Sequence, residues 1–285
     1  MEILLARDMG FCFGVRRAVE MMEEAGQTAG QMVSLGSIVH NPQVVDRLKE
    51  RGIGVITSLD EVDARPVAIT AHGVSEGVVR DLEERGVPVV DTTCPIVTRS
   101  QQWAKRLADE GFAVVVFGDP NHKEVRGVLG WAPDHAFAVP SIAEIDTLPD
   151  DLPSRIGVLS QTTETEEHFA EFVRALLERR MERISELRVI NTLCNATTSQ
   201  QAAARELAHQ VDLMIVIGGR ESANTRHLAD VARDEGAETY HVESADEIEP
   251  GWLEGRERVG VTAGASTPDD AIDAVVARLR ELAPA

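Results

Sequence analysis

Three cysteines, Cys12, Cys94 and Cys194, are the residues of this sequence best able to do redox or metal chemistry. An odd number of thiols suits no closed disulfide framework, and none of them belongs to a C-x-x-C pair. Free cysteine also packs as a small buried hydrophobe, so the count alone favours a structural role. Position argues otherwise. Residues Val90 to Gly118, moved forward by 100 positions, fall on Ile190 to Gly218, matching Thr92 with Thr192, Cys94 with Cys194, Gln101 with Gln201 and Gly118 with Gly218. The N-terminal segment is a weaker third copy, 82 residues before the second, in which Cys12 meets Cys94 and Gly36 meets Gly118. Cysteines that recur at one point of a repeat can share a single metal site, however long the chain between them.

The repeat carries other polar groups in register. Counting 28 residues past each cysteine gives His40, His122 and Ser222, with Glu124 and Asn224 close by, and later turns add His72, Thr162 and Ser266. Three thiolates fall one short of a closed structural zinc site. They suit either a zinc ion with one open position or a cubane iron–sulfur cluster whose fourth iron is left to bind substrate. Spacing does not separate these two metals. His40, His72, Ser222, Asn224 and Ser266 are hydrogen-bonding groups suited to a phosphate or diphosphate, and helix N-termini add backbone donors. Glu124 is the one carboxylate in this set of turns, which makes it the natural general acid, with a pKa raised by burial and by a neighbouring anion. His135, His168, His209, His227 and His241 match no repeat position and read as capping or surface residues.

Elements of a definite kind must hold these groups. Each copy reads as strand, turn with cysteine, helix, strand, glycine turn and helix, followed by a strand ending in a polar cluster. Those last strands run over Val67–Gly73, Ile156–Thr163 and Val259–Ser266. Such alternation builds parallel sheets covered by helices on both faces, and ligands bind at the carboxyl ends of the strands. The expected fold is therefore α/β, three αβα units facing a shared centre. The units span 10–93, 94–193 and 194–285, and the N-terminal strand 1–9 is a candidate to complete the third. The first helix is expected over about Val15 to Ala25, and Pro140 to Pro153 as a loop around a short helix.

A chain of 285 residues with 43% hydrophobic and 27% charged residues is ordinary for a globular protein. Its net charge of −20 repels nucleic acid and anionic membranes, which excludes both as expected partners. No apolar run approaches the roughly 20 residues needed to cross a bilayer, and the N-terminus is no signal peptide. A cytoplasmic protein is expected.

Taken together, Gly10-Phe11-Cys12-Phe13-Gly14-Val15, Val39-His40-Asn41, Ala71-His72-Gly73-Val74, Asp91-Thr92-Thr93-Cys94-Pro95, His122-Lys123-Glu124-Val125, Gln161-Thr162-Thr163, Cys194-Asn195-Ala196-Thr197-Thr198 and Gly260-Val261-Thr262-Ala263-Gly264-Ala265-Ser266 resemble the 4-hydroxy-3-methylbut-2-enyl diphosphate reductase family. The resemblance runs over essentially the whole chain in order. It implies reductive removal of an allylic hydroxyl, giving isopentenyl and dimethylallyl diphosphate plus water, at the end of the methylerythritol phosphate route to isoprenoids. It also implies a trefoil of three pseudo-threefold-related αβα units around one [4Fe–4S] cluster, held by Cys12, Cys94 and Cys194 with an open fourth iron. His40, His72, His122, Ser222, Asn224 and Ser266 would hold the diphosphate. Glu124 would deliver the proton, with Thr162 and His122 in its relay. A ferredoxin or flavodoxin is the implied electron donor. Two positions depart from the family's usual pattern: Ala223, where a second serine is common, and Lys123, where proline is common.

Two other readings compete with this one. A non-redox lyase resembling quinolinate synthase would need a dicarboxylate site with Arg or Tyr, and the sole tyrosine, Tyr240, lies outside every motif. A non-enzymatic iron–sulfur sensor has no use for Glu124 beside His122.

Overall fold

Helices and strands alternate along the computed structural model, which describes residues 1–283, so the last two residues of the expected 194–285 unit lie outside the described residues. In chain order they are β1 (Glu2–Leu5), α1 (Phe13–Ala29), β2 (Met32–Leu35), α2 (Pro42–Glu50), β3 (Ile53–Ile56), β4 (Val67–Ile69), α3 (Glu76–Arg85) and β5 (Val89–Asp91). Next come α4 (Pro95–Asp109), β6 (Ala113–Phe117), α5 (Lys123–Leu129), β7 (Ala136–Val139), β8 (Arg155–Ser160), α6 (Glu166–Arg180) and β9 (Glu186–Val189). The chain continues through α7 (Asn195–Ala208), β10 (Leu213–Ile217), α8 (Ala223–Asp234), β11 (Glu238–Val242), β12 (Arg258–Ala263) and α9 (Asp269–Leu282).

The strands form three parallel sheets of four, one for each αβα unit. Their orders are β3-β2-β4-β5, β7-β6-β8-β9 and β11-β10-β12-β1. All three follow one rule: the first strand after the cysteine helix lies inside, the next strand on one side of it, and the third and fourth on the other. The fourth strand of the last sheet comes from the opposite end of the chain, Leu4 pairing with Gly260. The inner strands β6 (AVVVF) and β10 (LMIVI) are buried at every position, as continuous apolar runs in parallel sheets must be.

Contacts divide the chain into two bodies. One holds residues 1–16, 39–47 and 195 onward, with the sheet containing β10; the other holds 17–38 and 48–194, with the remaining two sheets. In the first body Leu213, Ile215, Val259 and Val261 pack against Ile272, Val275 and Leu279 of α9. In the second, Val115, Phe117 and Val158 pack on Phe169, Phe172 and Leu176 of α6, with Phe117 stacked on Phe172 at 4.6 Å.

Local signals explain the element ends. Ser75 and Thr165 cap α3 and α6 by accepting the N–H groups of Val78 and His168. Gly86 closes α3 in the left-handed conformation. Helix α1 runs four residues past its expected end at Ala25. Gly26 does not stop it, because a Cβ there would lie 3.1 Å from Ile53 and the missing side chain lets the helix pack on that residue. The stop comes at Gly30, whose φ is +75°. A short 3₁₀ helix, Ile142–Thr147, sits inside the expected Pro140–Pro153 loop.

Candidate active site

The three cysteines occupy one structural position, three times over. Each begins a helix, and each donates its backbone N–H to a carbonyl just beyond the adjacent strand of its own sheet: Cys94 to Ala71 at 3.0 Å, Cys194 to Thr162 at 2.9 Å and Cys12 to Ala265 at 3.2 Å. Two residues earlier the chain is anchored the same way, Thr92 and Gly10 donating N–H to Ile69 and Ala263 and the Thr192 hydroxyl donating to Ser160. These bonds tie each cysteine turn to the turn bearing His72, Thr162 or Ser266, which is how residues distant in sequence become neighbours.

The thiols form no disulfide and are half-buried. Cys12 Sγ accepts the N–H of Val15 at 3.5 Å, and Cys94 Sγ accepts from Ile96 and Val97. Burial pushes the Cys94 thiol up, and the negative charges of Cys194 and Glu124 push it the same way, against those two backbone donors. Two sulfurs and a carboxylate thus crowd one space. A bound cation relieves that repulsion, and soft thiolates at helix N-termini suit zinc and iron–sulfur sites alike.

In the second body the remaining groups surround Glu124. Its carboxylate is buried and accepts twice from Thr162, from the N–H at 2.7 Å and from the hydroxyl at 2.8 Å. Burial raises its pKa, the two Thr162 bonds oppose the rise, and the nearby Glu164 charge adds to it. His122 caps α5 by accepting the Glu124 N–H on Nδ1 at 3.2 Å. In the neutral ring that assigns the proton to Nε2, which can then donate to a ligand. The His72 ring stands edge-on to His122, centroids 5.6 Å apart, with the Thr70 hydroxyl 3.4 Å from its Nδ1.

In the first body the Ser222 hydroxyl caps α8, accepting the Thr225 N–H at 3.3 Å, so its own proton remains to donate. Ser266 Oγ donates to the His40 carbonyl at 3.4 Å. Asn224 is buried, and its Nδ2 donates to Gln200 Oε1 at 2.9 Å while Gln200 Nε2 donates to the Gly10 carbonyl at 2.8 Å. That chain of bonds fixes both amide orientations. It leaves the buried Asn224 Oδ1 without a protein partner among the described residues. Ala223 lies beside Ser222 as the first residue of α8 and is buried. Sequence reasoning missed Gln200, since only its neighbour Gln201 repeats. It also missed Thr70, Thr92 and Thr192 as anchors, although the Thr92/Thr192 identity was a usable signal.

Glycines permit the close approaches. A Cβ on Gly118 would meet Gln161 Cβ at 2.6 Å, and one on Gly264 would overlap the Thr225 hydroxyl. The sole tyrosine, Tyr240, stacks on Trp252 at 3.9 Å and donates to Glu238, a packing role. His241 and His209 are similarly occupied, by the Gly218 carbonyl and by Glu235.

A model of the LytB protein family matches residues 3–280. The chain is 44% identical over 282 residues to a 4-hydroxy-3-methylbut-2-enyl diphosphate reductase of Dehalococcoides mccartyi (strain CBDB1), covering 99% of both chains. It is also 44% identical over 281 residues to that of Geobacter sulfurreducens, covering 99% of this chain and 98% of the relative. Among solved structures it resembles the E-1-hydroxy-2-methyl-but-2-enyl-4-diphosphate reductase of Plasmodium falciparum, with a TM-score of 0.91, 26% identity and coverage of 98% and 87%. A second likeness is to the structure of (E)-4-hydroxy-3-methyl-but-2-enyl diphosphate reductase, described as the terminal enzyme of the non-mevalonate pathway, with a TM-score of 0.70, 38% identity and coverage of 99% and 100%.

Proposed function

The chain belongs to the LytB protein family, and we propose that it is the oxidoreductase that converts 4-hydroxy-3-methylbut-2-enyl diphosphate into isopentenyl and dimethylallyl diphosphate plus water. The observation that carries this reading is the buried Glu124 carboxyl, held by Thr162 in the same space as the Cys94 and Cys194 sulfurs. An acid beside a cysteine-bound metal is what loss of a hydroxyl as water requires.

Cys12, Cys94 and Cys194 would hold one [4Fe–4S] cluster, leaving the fourth iron open. When bound, the cluster would pass on two electrons from the donor, one at a time, and offer a Lewis-acidic iron to the allylic oxygen. The residues of the chain do the rest. Glu124, its pKa raised by burial, gives its proton to the departing oxygen, and the Thr162 hydroxyl holds the carboxyl in line. His122 donates from Nε2, and His40, His72, Ser222, Asn224 and Ser266 bind the diphosphate. Two electrons and two protons balance one C–O bond broken, one C–H bond formed and one water released.

The electron donor would be a ferredoxin or flavodoxin, and neither nucleic acid nor membrane is a partner. No helix among the described residues is long and apolar enough to cross a membrane. Three cysteines outside any disulfide suit a reducing compartment, so we place the protein in the cytoplasm, with αβα units at 10–93, 94–193 and 194–285, the last closed by strand 1–9.

Anaerobic incubation with the allylic diphosphate and a low-potential reductant tests the reading, with products followed by chromatography and the metal by visible absorbance. Both isoprenoid diphosphates should form. A colourless zinc-loaded protein, or a brown one that leaves the substrate untouched, would overturn it.

A further inference from the structure

The second body has a cavity of about 270 Å³ lined by none of the residues assigned above to the metal, the acid or the diphosphate. Lys123 and Arg126, successive turns of α5, stand at its wall, and no carboxylate lines it. In a chain with 48 acidic and 28 basic residues, a cavity lined by two cations and no anion departs from the average surface. Both cations are exposed, and neither has an ion-pair partner among the described residues. Many other arginines of the surface are paired: Arg51 with Glu23, Arg155 with Glu186 and Arg205 with Glu235, each at 2.8 Å.

The rest of the lining is split by chemistry. The Ser75 and Thr57 hydroxyls lie on the polar side, while Leu35, Val74 and Val78 give an apolar wall. Glu61, four residues beyond Thr57, faces the backbone and accepts from the Thr57 N–H and hydroxyl and from the Ser58 N–H. The floor is rigid: the Val74 carbonyl accepts from both Gln101 and Trp131. The Lys123 ammonium reaches across Gly36, where a Cβ would stand 3.3 Å from it. The cavity is therefore preformed, cationic at one side and greasy at the other.

We propose that this cavity is an accessory binding site for an amphiphilic phosphate, an organic diphosphate whose head sits between Lys123 and Arg126 and whose short apolar tail lies on Leu35, Val74 and Val78. Two cations can each give a charge-assisted hydrogen bond to a phosphate oxygen. The local positive potential also draws such anions toward a surface that otherwise repels them. Gly73 and Thr70 of the same lining flank His72, and Lys123 follows His122, so an occupant would be felt at the turns assigned above to the diphosphate of the substrate.

Calorimetric titration of the metal-loaded protein with geranyl diphosphate, and separately with inorganic diphosphate, tests the site. The wild type should bind two equivalents of geranyl diphosphate. The double substitution Lys123→Ala with Arg126→Ala should bind one, or bind the second about tenfold more weakly, at an unchanged melting temperature. The geranyl compound should bind this site more tightly than inorganic diphosphate. Equal stoichiometry and affinity in the two proteins would overturn the proposal, and so would no gain from the apolar tail. Binding is read without turnover, so an inactive protein that still loses one equivalent would defeat the activity reading alone.

Discussion

Glu124 grips Thr162 with both carboxylate oxygens, one on the N–H at 2.7 Å and one on the hydroxyl at 2.8 Å. Because Thr162 also gives its carbonyl to the Cys194 N–H, Glu124 and Cys194 are held by one residue. The separation between the Glu124 carboxyl and the Cys194 backbone is therefore set by three hydrogen bonds through a single residue.

Replacing Glu124 by Gln removes the acid and keeps the shape. Turnover should fall by roughly 10²–10⁴-fold while the visible absorbance of the metal centre stays that of the wild type. Near-normal turnover would take Glu124 out of the proton-donor role.

The same burial makes Glu124 a stability sensor. Its folded pKa is raised, chiefly by desolvation, so folding favours the protonated form. Its contribution to stability is full below the ordinary glutamate range and is lost as pH rises through that range to the folded pKa. Against this, Glu124→Gln has no proton to lose. Its denaturation midpoint should gain on the wild type as pH rises and then level off; a gap independent of pH would contradict the assignment.

Thr162→Val deletes the hydroxyl that lowers the Glu124 pKa. The carboxyl should then stay protonated to higher pH, moving the alkaline limb of the pH–rate profile upward even as kcat drops. A limb that stays in place, or moves down, would show that another group titrates there.

Gln200→Leu leaves the Gly10 carbonyl and the Asn224 amide without their bonds. Orphaning buried groups costs on the order of 1–3 kcal/mol each, so the melting temperature should fall. Because Asn224 loses its fixed orientation, KM should rise more than kcat falls; a fall confined to kcat would separate Gln200 from diphosphate binding.

Gly264→Ala should destabilise by about 1–3 kcal/mol through overpacking against Thr225. Adding Thr225→Ala removes the obstructing hydroxyl, which has no partner of its own among the described residues. The double variant should recover much of the loss in denaturant unfolding, and no recovery would mean the clash is not the cause.

The repeat made the main lines of the fold legible, because three copies of one strand-and-helix order imply three sheets of one kind. It also located Cys12, Cys94 and Cys194 at equivalent helix starts. What it missed are contacts that break the repeat. Ser100 and Gln200 hold equivalent positions of the repeat, yet Ser100 donates to the Ile96 carbonyl of its own helix while Gln200 reaches the Gly10 carbonyl. The longer side chain makes the difference, and no match between the copies records it. Helix α1 outran its expected end for a related reason, since a glycine reads as a stop unless the strand beneath it is known.

The pairing of Leu4 with Gly260 has a consequence for synthesis. As the chain leaves the ribosome, β1 is made first, and its partner emerges only some 250 residues later. Until then its backbone edge and the Cys12 turn behind it wait without their hydrogen-bonding neighbours, while both other sheets can already close. Growth of the polypeptide thus imposes an assembly order in which the first thiol translated is the last to be fixed in place.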